Sequence, residues 1–438
     1  GYLIATTDEL GHVTRRENDP HGMAVKQIWP DGAVSTWAHD DRGRLLAGTD
    51  ELGNTRSYVR DAKGRTVKVQ NPDGTSEETT YNDFGQVITR KGRSGAVTAM
   101  TYDGRGLLQK TTDALGYSRA FNYDSRDRLA AVTDPRGNTT RYEHDTAGRV
   151  IKTTYADGAH TARDYDEFGH VTRTTDAAGA VRTMTYEQFG RLIATFDPLG
   201  HETRTVYSDS GAGAAFNRPI AIVSPTGRTT ATAYDENGRL VARTIAADTR
   251  QAATTRYAYD PAGRRSSVTN PRGKTVQYFY DERGRRVKTM NALNYATSFT
   301  YDTAGHRLSQ TDAKGNTTIW TYDALGRVLT KTDALGHVTA RSYNAAGRLA
   351  TLTDPKGRTY RFEYNALSRP TALVYPDGSR EATTYDEAEN KRTFTNRAGV
   401  TQTFAYDIRN REVHSEWSDG SQTISKSYYV AGRMSLEF

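Results

Sequence analysis

Histidine, aspartate and glutamate are the side chains of this sequence that could hold a metal or transfer a proton. The ten histidines are scattered and form no HExxH pair, which argues against zinc or catalytic chemistry. Cysteine is absent, which excludes disulfides, thiolate nucleophiles and cysteine-ligated zinc. Aspartates are frequent, but they recur in turns, where they cap the backbone. We therefore predict no catalytic, cofactor-binding or metal-binding residue, and no enzyme.

Glycine-rich and basic stretches could bind phosphate or nucleic acid. "SDSGAGAAF", from Ser208, lacks the GK[ST] that would hold a phosphate, and we interpret it as a loop. The 59 Lys and Arg are interleaved with 52 Asp and Glu, so no unbalanced basic patch predicts nucleic-acid binding. No apolar run approaches the roughly eighteen residues that a membrane span needs. The sequence predicts neither a nucleic-acid partner nor a membrane span.

A repeat of 21 residues organises the whole sequence. "YDALGRVLTKTDALGHVT", from Tyr322, contains DALG twice, and stepping from this tyrosine gives twenty anchor positions, of which sixteen are Tyr. Sixteen of the nineteen steps between anchors are 21 residues, and the others are 27, 25 and 22. Composition does not change along the chain. We predict one repeat array over residues 1–438, irregular at 207–259, with no domain boundary.

Each repeat has two turn signals of the same kind. Asp323 is followed three residues later by Gly326, and Asp333 by Gly336. An Asp that opens a turn accepts hydrogen bonds from the backbone N–H groups that follow, and a Gly in the fourth position adopts positive φ freely. In "TDPRGN" the turn from Asp134 to Gly137 adds a proline, whose fixed φ suits the second position. The chain is thus predicted to reverse every ten or eleven residues by three-residue hairpin loops with a bulge.

The six or seven residues between turns favour strands. They are rich in Val, Leu, Thr and Tyr, contain no Gly or Pro in examples such as "RVLTKT", and are too short for two helical turns. The simplest fold is all-β, a spiralling antiparallel β-hairpin ribbon of about 41 strands. The alternative is a parallel β-helix, because 21 residues also suit one of its coils.

Arginine follows the same register. It stands five positions past the anchor in thirteen of twenty repeats, which places it near the Asp of each turn. We expect these arginines to pair with that Asp and to stack on tyrosine. The tyrosine row is predicted to form an aromatic ladder across repeats, and strand alternation puts the residue two before each anchor on the same face.

The repeat resembles the YD repeat of Rhs proteins, which also occurs in insecticidal toxin complexes and animal teneurins. "YDALGRVLTKTDALGHVT" and "YDSRDRLAAVTDPRGNTTRY" are close to its consensus, and the resemblance covers essentially the whole chain. The residues that we assign to the structural signature are Tyr123, Asp124, Asp134, Gly137, Tyr280, Asp281, Gly284, Arg285, Tyr301, Asp302, Gly305, Tyr322, Asp323, Gly326, Arg327, Asp333 and Gly336.

The resemblance implies a hollow β-shell that encloses a C-terminal toxin until delivery, often through a secretion system. The toxin domain would be the partner, delivery components would be further partners, and no cofactor is implied. The near-perfect repeats resemble bacterial ones, which implies an exported or delivered effector, or a cell-surface location. The DPxG stretches fall on ordinary repeat turns, and the sequence begins and ends within repeats. We therefore expect a stretch of shell without plug or cleavage centre, and with no separate toxin or delivery domain.

Two functions from different classes remain open. The first is an encapsulating shell that has no activity of its own. The second is an adhesive or carbohydrate-binding surface module, because exposed tyrosines beside Asp and Arg can also bind sugars.

Overall fold

The computed structural model describes residues 2–208, 217–428 and 434–437, and it forms 41 β-strands and no helix within them. The "SDSGAGAAF" segment lies almost entirely outside these residues.

The first fourteen strands are β1 (Tyr2–Thr7), β2 (Val13–Asn18), β3 (Ala24–Ile28), β4 (Val34–His39), β5 (Leu45–Thr49), β6 (Thr55–Arg60), β7 (Thr66–Gln70), β8 (Ser76–Tyr81), β9 (Val87–Lys91), β10 (Val97–Tyr102), β11 (Leu108–Thr112), β12 (Ser118–Tyr123), β13 (Leu129–Thr133) and β14 (Thr139–His144). The next fourteen are β15 (Val150–Thr154), β16 (His160–Tyr165), β17 (Val171–Thr175), β18 (Val181–Tyr186), β19 (Leu192–Phe196), β20 (Glu202–Tyr207), β21 (Pro219–Val223), β22 (Thr229–Tyr234), β23 (Leu240–Ile245), β24 (Ala253–Tyr259), β25 (Arg265–Thr269), β26 (Thr275–Tyr280), β27 (Arg286–Met290) and β28 (Ala296–Tyr301). The last thirteen are β29 (Arg307–Thr311), β30 (Thr317–Tyr322), β31 (Val328–Thr332), β32 (Val338–Tyr343), β33 (Leu349–Thr353), β34 (Thr359–Tyr364), β35 (Pro370–Val374), β36 (Arg380–Tyr385), β37 (Lys391–Thr395), β38 (Thr401–Tyr406), β39 (Glu412–Trp417), β40 (Thr423–Tyr428) and β41 (Met434–Glu437).

Strands that follow each other in the chain pair antiparallel. In β30 and β31, Ile319 lies opposite Thr332 and Tyr322 opposite Val328, and a bulge falls just before the tyrosine. The next pairing, β31 with β32, is also antiparallel. Every strand pair that the structure describes is antiparallel, as in β12 with β13 and β38 with β39. The hairpin ribbon is confirmed, and the parallel β-helix is wrong because its strands would pair in parallel.

Both turns of a repeat close as the sequence predicts. The Asp323 N–H donates to the Arg327 carbonyl at 3.0 Å, and the Gly326 N–H donates to the Asp323 carbonyl at 2.9 Å. The same two bonds recur around Asp333 and Gly336, at 3.0 Å each. Gly326 has φ 73 and Gly336 φ 82, a left-handed conformation that an L residue adopts only with strain. We call the turn after each anchor the YD turn and the other the second turn; they lie at opposite edges of the ribbon.

The ribbon buries few side chains in the part of the chain that the structure describes. Its accessible surface is 25545 Å², whereas a compact protein of its mass has about 17,000 Å². Along β30, Trp320 and Tyr322 are half-buried while Ile319 and Thr321 are exposed, so one face is the better covered. Threonine pairs link neighbouring strands, as between Thr311 and Thr317 at 2.8 Å. Backbone ladders and polar cross-strand contacts therefore hold the sheet together more than apolar burial does.

The extra residues of the 25-residue step, between anchors Tyr234 and Tyr259, fold back on the preceding hairpin. Ala246 is buried, and the Ala247 N–H donates to the Thr229 carbonyl at 3.0 Å. The Thr229 N–H donates to Asp248 Oδ1 at 3.3 Å. These extra residues thus extend the edge of the ribbon without interrupting its strand order.

The chain packs as two compact units, each built from an early and a late stretch of repeats. One contains Gly1–Ala99 and Tyr257–Gly378, and the other contains Met100–Arg256 and Ser379–Phe438. No change in repeat type marks these divisions.

Candidate functional site

The signature residues of one repeat form a capped turn. Asp323 Oδ1 accepts hydrogen bonds from the N–H groups of Leu325 and Arg327, both at 3.0 Å. Its second oxygen, Oδ2, accepts the Arg327 Nε–H at 2.7 Å. Asp281 and Arg285 repeat this arrangement, with the guanidinium Nε also at 2.7 Å. The carboxylate thus closes the turn and fixes the arginine at the same time.

That arginine reaches the next repeat. The Arg285 guanidinium lies 5.4 Å from the centre of the Tyr301 ring, and its Nη1 donates to the Asp302 carbonyl at 2.8 Å. The Tyr301 hydroxyl donates to the Arg286 carbonyl, fifteen residues earlier, at 2.7 Å. The same stacking joins Arg264 to Tyr280 at 4.9 Å. The predicted pairing with Asp and stacking on Tyr are both present.

The tyrosines are linked across repeats by these hydrogen bonds and guanidinium contacts. Hydroxyl bonds to the backbone carbonyl fifteen residues earlier are made by Tyr81, Tyr123, Tyr165, Tyr186, Tyr207, Tyr234, Tyr280, Tyr301, Tyr322, Tyr343 and Tyr364. Histidine is the ring partner of two of these tyrosines, as His170 contacts Tyr186 and His306 contacts Tyr322. The links between these repeats are therefore polar, and rings such as those of Tyr165 and Tyr301 are covered by the arginine of the preceding repeat.

Histidine takes the arginine position in some repeats. His306 follows Gly305, stacks on Tyr322 at 5.0 Å between ring centres, and places its Nδ1 2.9 Å from Asp302 Oδ2. His170 stacks on Tyr186 in the same way, at 4.7 Å. Among residues 2–208, 217–428 and 434–437, no three His, Asp or Glu side chains are grouped to hold a metal ion. No helix in those ranges is long and apolar enough to cross a membrane.

Charge pairing shifts the turn carboxylates. The hydrogen bond from Arg128 lowers the pKa of Asp124 to about 2, helped by the backbone N–H groups of Arg126 and Arg128. Arg44 lowers the pKa of Asp40 to about 2 in the same way. Burial, with a smaller contribution from the Asp103 charge, raises the pKa of Tyr123. The two carboxylate shifts follow from the capped turn.

The other signature residues occupy the expected turn positions. Asp134 accepts the N–H groups of Arg136 and Asn138, both within 2.9 Å, and Gly137 closes the turn with φ 84. Gly284 holds the corresponding place after Asp281, with φ 77. The structure brings Asp, Gly and Arg together in turns such as those of Asp281 and Asp323, and it brings Arg and Tyr together between neighbouring repeats.

A second kind of contact joins stretches of ribbon that are far apart in sequence. In the first unit, Arg283 in a YD turn lies over the Trp29 ring at 4.5 Å and contacts Asp31 Oδ2 at 3.4 Å. Its Nη2 also donates to Glu51 at 3.0 Å. The Arg283 and Glu51 side chains are only 10% and 11% exposed. We call such a contact between a YD turn and a distant second turn an edge junction.

The second unit contains a matching edge junction. Arg409, again in a YD turn, lies over the Tyr155 ring at 4.7 Å and donates from Nη2 to Asp157 Oδ1 at 2.9 Å. Nearby, Arg136 donates to the Asp407 carbonyl at 3.2 Å and to Asn410 Oδ1 at 2.9 Å. In both units the arginine follows the aspartate by 252 residues. The sequence of a single repeat does not predict these partners, although the unusual "WPDG" and "YADG" turns are a visible signal.

The anchor hydroxyl can be tested at Tyr322. Tyr322→Phe should lower the free energy of unfolding by about 1 kcal/mol, because the Arg307 carbonyl loses a 2.7 Å hydrogen bond while the ring contact with His306 remains. Amide hydrogen exchange in β29 and β30 measures the effect. The matched control is Tyr142→Phe, whose hydroxyl has no partner among the described residues. Equal effects of the two substitutions would contradict the role of the hydroxyl.

The Asp124 turn should weaken in acid. Its pKa of about 2 lies below the ordinary 3.8, so the stability that it contributes is complete above pH 4 and is lost as the pH falls towards 2. Asp124→Asn keeps the turn bonds, as Asn344 does in its own turn, and should remove this pH dependence. Hydrogen exchange of the Arg126 and Arg128 amides, corrected for the intrinsic rate, measures it. Asn344→Asp should introduce the same dependence in its repeat; a pH response unchanged by both substitutions would contradict the assignment.

These features define a structural β-hairpin repeat array. The Teneurin YD-shell family model matches residues 31–162 and 58–253, which together reach across half of the chain. The RHS Repeat model matches residues 246–275, 259–293, 280–317, 301–338 and 343–380. The chain therefore belongs to the YD-shell family of Rhs-type repeats. A search of curated proteins finds no match.

Solved structures of a Tc holotoxin pore and of TcdB2-TccC3 have the same fold. The Photorhabdus luminescens Tc holotoxin pore with a mutated TccC3 matches 98% of this chain at 15% identity and a TM-score of 0.73. TcdB2-TccC3-TEV matches 98% at 15% identity and a TM-score of 0.69, and TcdB2-TccC3 matches 99% at 15% identity and a TM-score of 0.64. This chain spans 27% of the length of each of those chains.

Proposed function

We propose that this chain is part of the wall of a hollow shell that encloses a toxin polypeptide until delivery, and that it catalyses no reaction. The observation that carries the proposal is the edge junction, which seals one stretch of ribbon against another in each unit. A single-layer sheet becomes a continuous wall only if its turn edges meet in this way. The fold shared with toxin-complex structures supports the same role.

The polar side chains support a structural role. Asp323, Arg327 and their counterparts are engaged in closing turns, and His306 takes an arginine position. Depressed carboxylate pKa values, such as that of Asp124, suit ion pairing rather than proton transfer at neutral pH. The surface-module alternative needs tyrosines that are free to bind sugars. Tyr301, in contrast, has its hydroxyl bound to a carbonyl and its ring covered by Arg285.

The proposed partner is a toxin polypeptide of the same complete protein. The similar solved structures are named as assemblies of TcdB2 with TccC3, which places two components together in those proteins. Exported delivery from a bacterium, with delivery components as further partners, belongs to the same proposal.

Limited proteolysis of the complete protein tests the shell. The enclosed polypeptide should resist cleavage under conditions that digest it when it is produced alone. Arg283→Glu combined with Arg409→Glu should open the edge junctions and make that polypeptide cleavable. Arg42→Glu is the matched control, because Arg42 has the same turn position but is exposed. Cleavage of the polypeptide at its free rate in the unmodified protein would refute the proposal.

A further inference from the structure

The two arginine-centred edge junctions share a residue pattern that local turn chemistry does not require. In an ordinary second turn the first residue is an Asp that caps the backbone, as Asp50 does for Leu52 at 2.9 Å. In the junction turns the first residue is aromatic, Trp29 or Tyr155, and the aspartate has moved to the third position. Within its own turn, Asp31 then accepts only one hydrogen bond, from the Ala33 N–H to Oδ1 at 3.2 Å. Its Oδ2 is left to face the neighbouring ribbon.

Arginine is also uncommon at the third position of the YD turns in the stretch that contacts these turns. The third positions of the seven YD turns from Asp281 to Asp407 are occupied by Arg283, Ala304, Leu325, Ala346, Leu367, Ala388 and Arg409. Only two of the seven are arginine, and both lie against an aromatic-x-Asp-Gly turn. No other second turn before residue 208 begins with an aromatic residue. The ring and the carboxylate on one edge therefore match the arginine on the other.

The same turn type recurs twice later in the chain, at Tyr375, Pro376, Asp377 and Gly378 and at Trp417, Ser418, Asp419 and Gly420. The Gly420 N–H donates to the Trp417 carbonyl at 3.0 Å, just as the Gly32 N–H donates to the Trp29 carbonyl at 2.9 Å. One additional residue enters after the glycine, because the Trp417 N–H reaches the Gln422 carbonyl. Trp417 and Asp419 therefore occupy the same turn positions as Trp29 and Asp31.

Asp419 is available for a cation. It is exposed, and within its own turn its carboxylate accepts hydrogen bonds from the Ser421 N–H, at 3.0 Å, and from the Ser421 side chain. It makes no ion pair with any residue of the ranges 2–208, 217–428 and 434–437. Trp417 contacts Phe394 edge to face at 6.1 Å, which fixes one side of the indole ring.

We propose that the turn at Trp417–Gly420 is a receptor for an arginine side chain carried at the third position of a YD turn in another stretch of YD-repeat ribbon. The guanidinium would lie over the Trp417 ring and pair with Asp419, as Arg283 does with Trp29 and Asp31. A cation held between an aromatic face and a carboxylate gains from both contacts. This inference rests on the proposed shell function, because only a layered wall brings another ribbon to this edge.

The test uses the absence of cysteine and the presence of only four tryptophans. Gln422→Cys gives a single thiol beside the receptor turn, to which a cyclised hairpin of residues 278–288 is attached through a flexible linker. Tethering raises the effective concentration to the millimolar range, so that a weak contact is populated. Fluorotryptophan labelling gives four fluorine NMR signals, which tryptophan-to-phenylalanine variants assign.

The Trp417 signal should shift with the attached hairpin, whereas the signals of Trp29, Trp37 and Trp320 should not. The shift should disappear with a hairpin that carries Gln in place of Arg283, and with Asp419→Asn in the chain. A Trp417 signal that does not move, or that moves equally with the Gln hairpin, overturns the inference. Neither result bears on whether the complete protein protects its toxin, so the inference can fail while the proposed function stands.

Discussion

Arg283→Met should destabilise the edge junction of the first unit by about 3 kcal/mol. Arg283 is 10% exposed and pairs with Glu51, which is 11% exposed, and with Asp31. Removing the arginine leaves Glu51 without its cation in a largely buried contact, whereas Asp31 keeps Arg285 at 3.2 Å. Breaking one side of a buried ion pair costs about 3–5 kcal/mol. Methionine keeps most of the side-chain volume, so the loss reports mainly the charge and the contact with Trp29.

Amide hydrogen exchange locates the loss of stability that Arg283→Met causes. Protection should fall in β3 and β4 and also in β26 and β27, because these strands flank the two sides of the contact. Nearest-neighbour coupling in repeat arrays should keep distant strands unaffected. Arg42→Met, at the same position of an exposed YD turn, should change stability by less than about 0.5 kcal/mol. A loss confined to β26 and β27 would show that Arg283 supports only its own hairpin.

Gly326→Ala should destabilise its repeat by about 2–3 kcal/mol, and Gly336→Ala by only about 1 kcal/mol. Both glycines have positive φ, at 73 and 82, so an alanine at either position is strained in the left-handed conformation by about 1 kcal/mol. Only at Gly326 would the new Cβ overlap the His306 imidazole, whereas nothing lies within 4 Å at Gly336. His306 would have to leave the Tyr322 ring and Asp302, which accounts for the difference.

A double-mutant cycle separates the two causes. His306→Ala removes the imidazole, so Gly326→Ala in that background should cost about as much as Gly336→Ala. Urea unfolding, with hydrogen exchange of β29 to β32 for location, gives the values. If Gly326→Ala remained equally costly without His306, backbone strain alone would explain it.

The sequence predicts the turns and strands of each repeat because the interactions that form them act within a few residues. The position of Asp323 three residues before Gly326 predicts a capped turn, and the spacing of two such turns predicts strands that alternate in direction. The structure confirms both, with strands of five and six residues where six or seven were expected. The arginine five places past the anchor was assigned to its Asp and to tyrosine, and Arg285 makes both contacts. The repeat alone carried no information on the hydroxyl bonds of Tyr301 and Tyr322, because the carbonyl that each one meets has no side-chain signature.

The sequence by itself determined the period, the two turns of each repeat, the antiparallel order of the strands and the roles of Asp, Gly, Arg and Tyr within neighbouring repeats. Only the tertiary structure decided which distant turns meet, such as the pairing of Arg283 with Trp29 and Asp31 across 252 residues. That offset depends on the small twist and bend of every intervening hairpin, summed along the ribbon, and no single residue encodes such a sum. Turn residues act through hydrogen bonds of about 3 Å, which are fixed by local spacing. The edge junctions arise only after the whole stretch between them has folded.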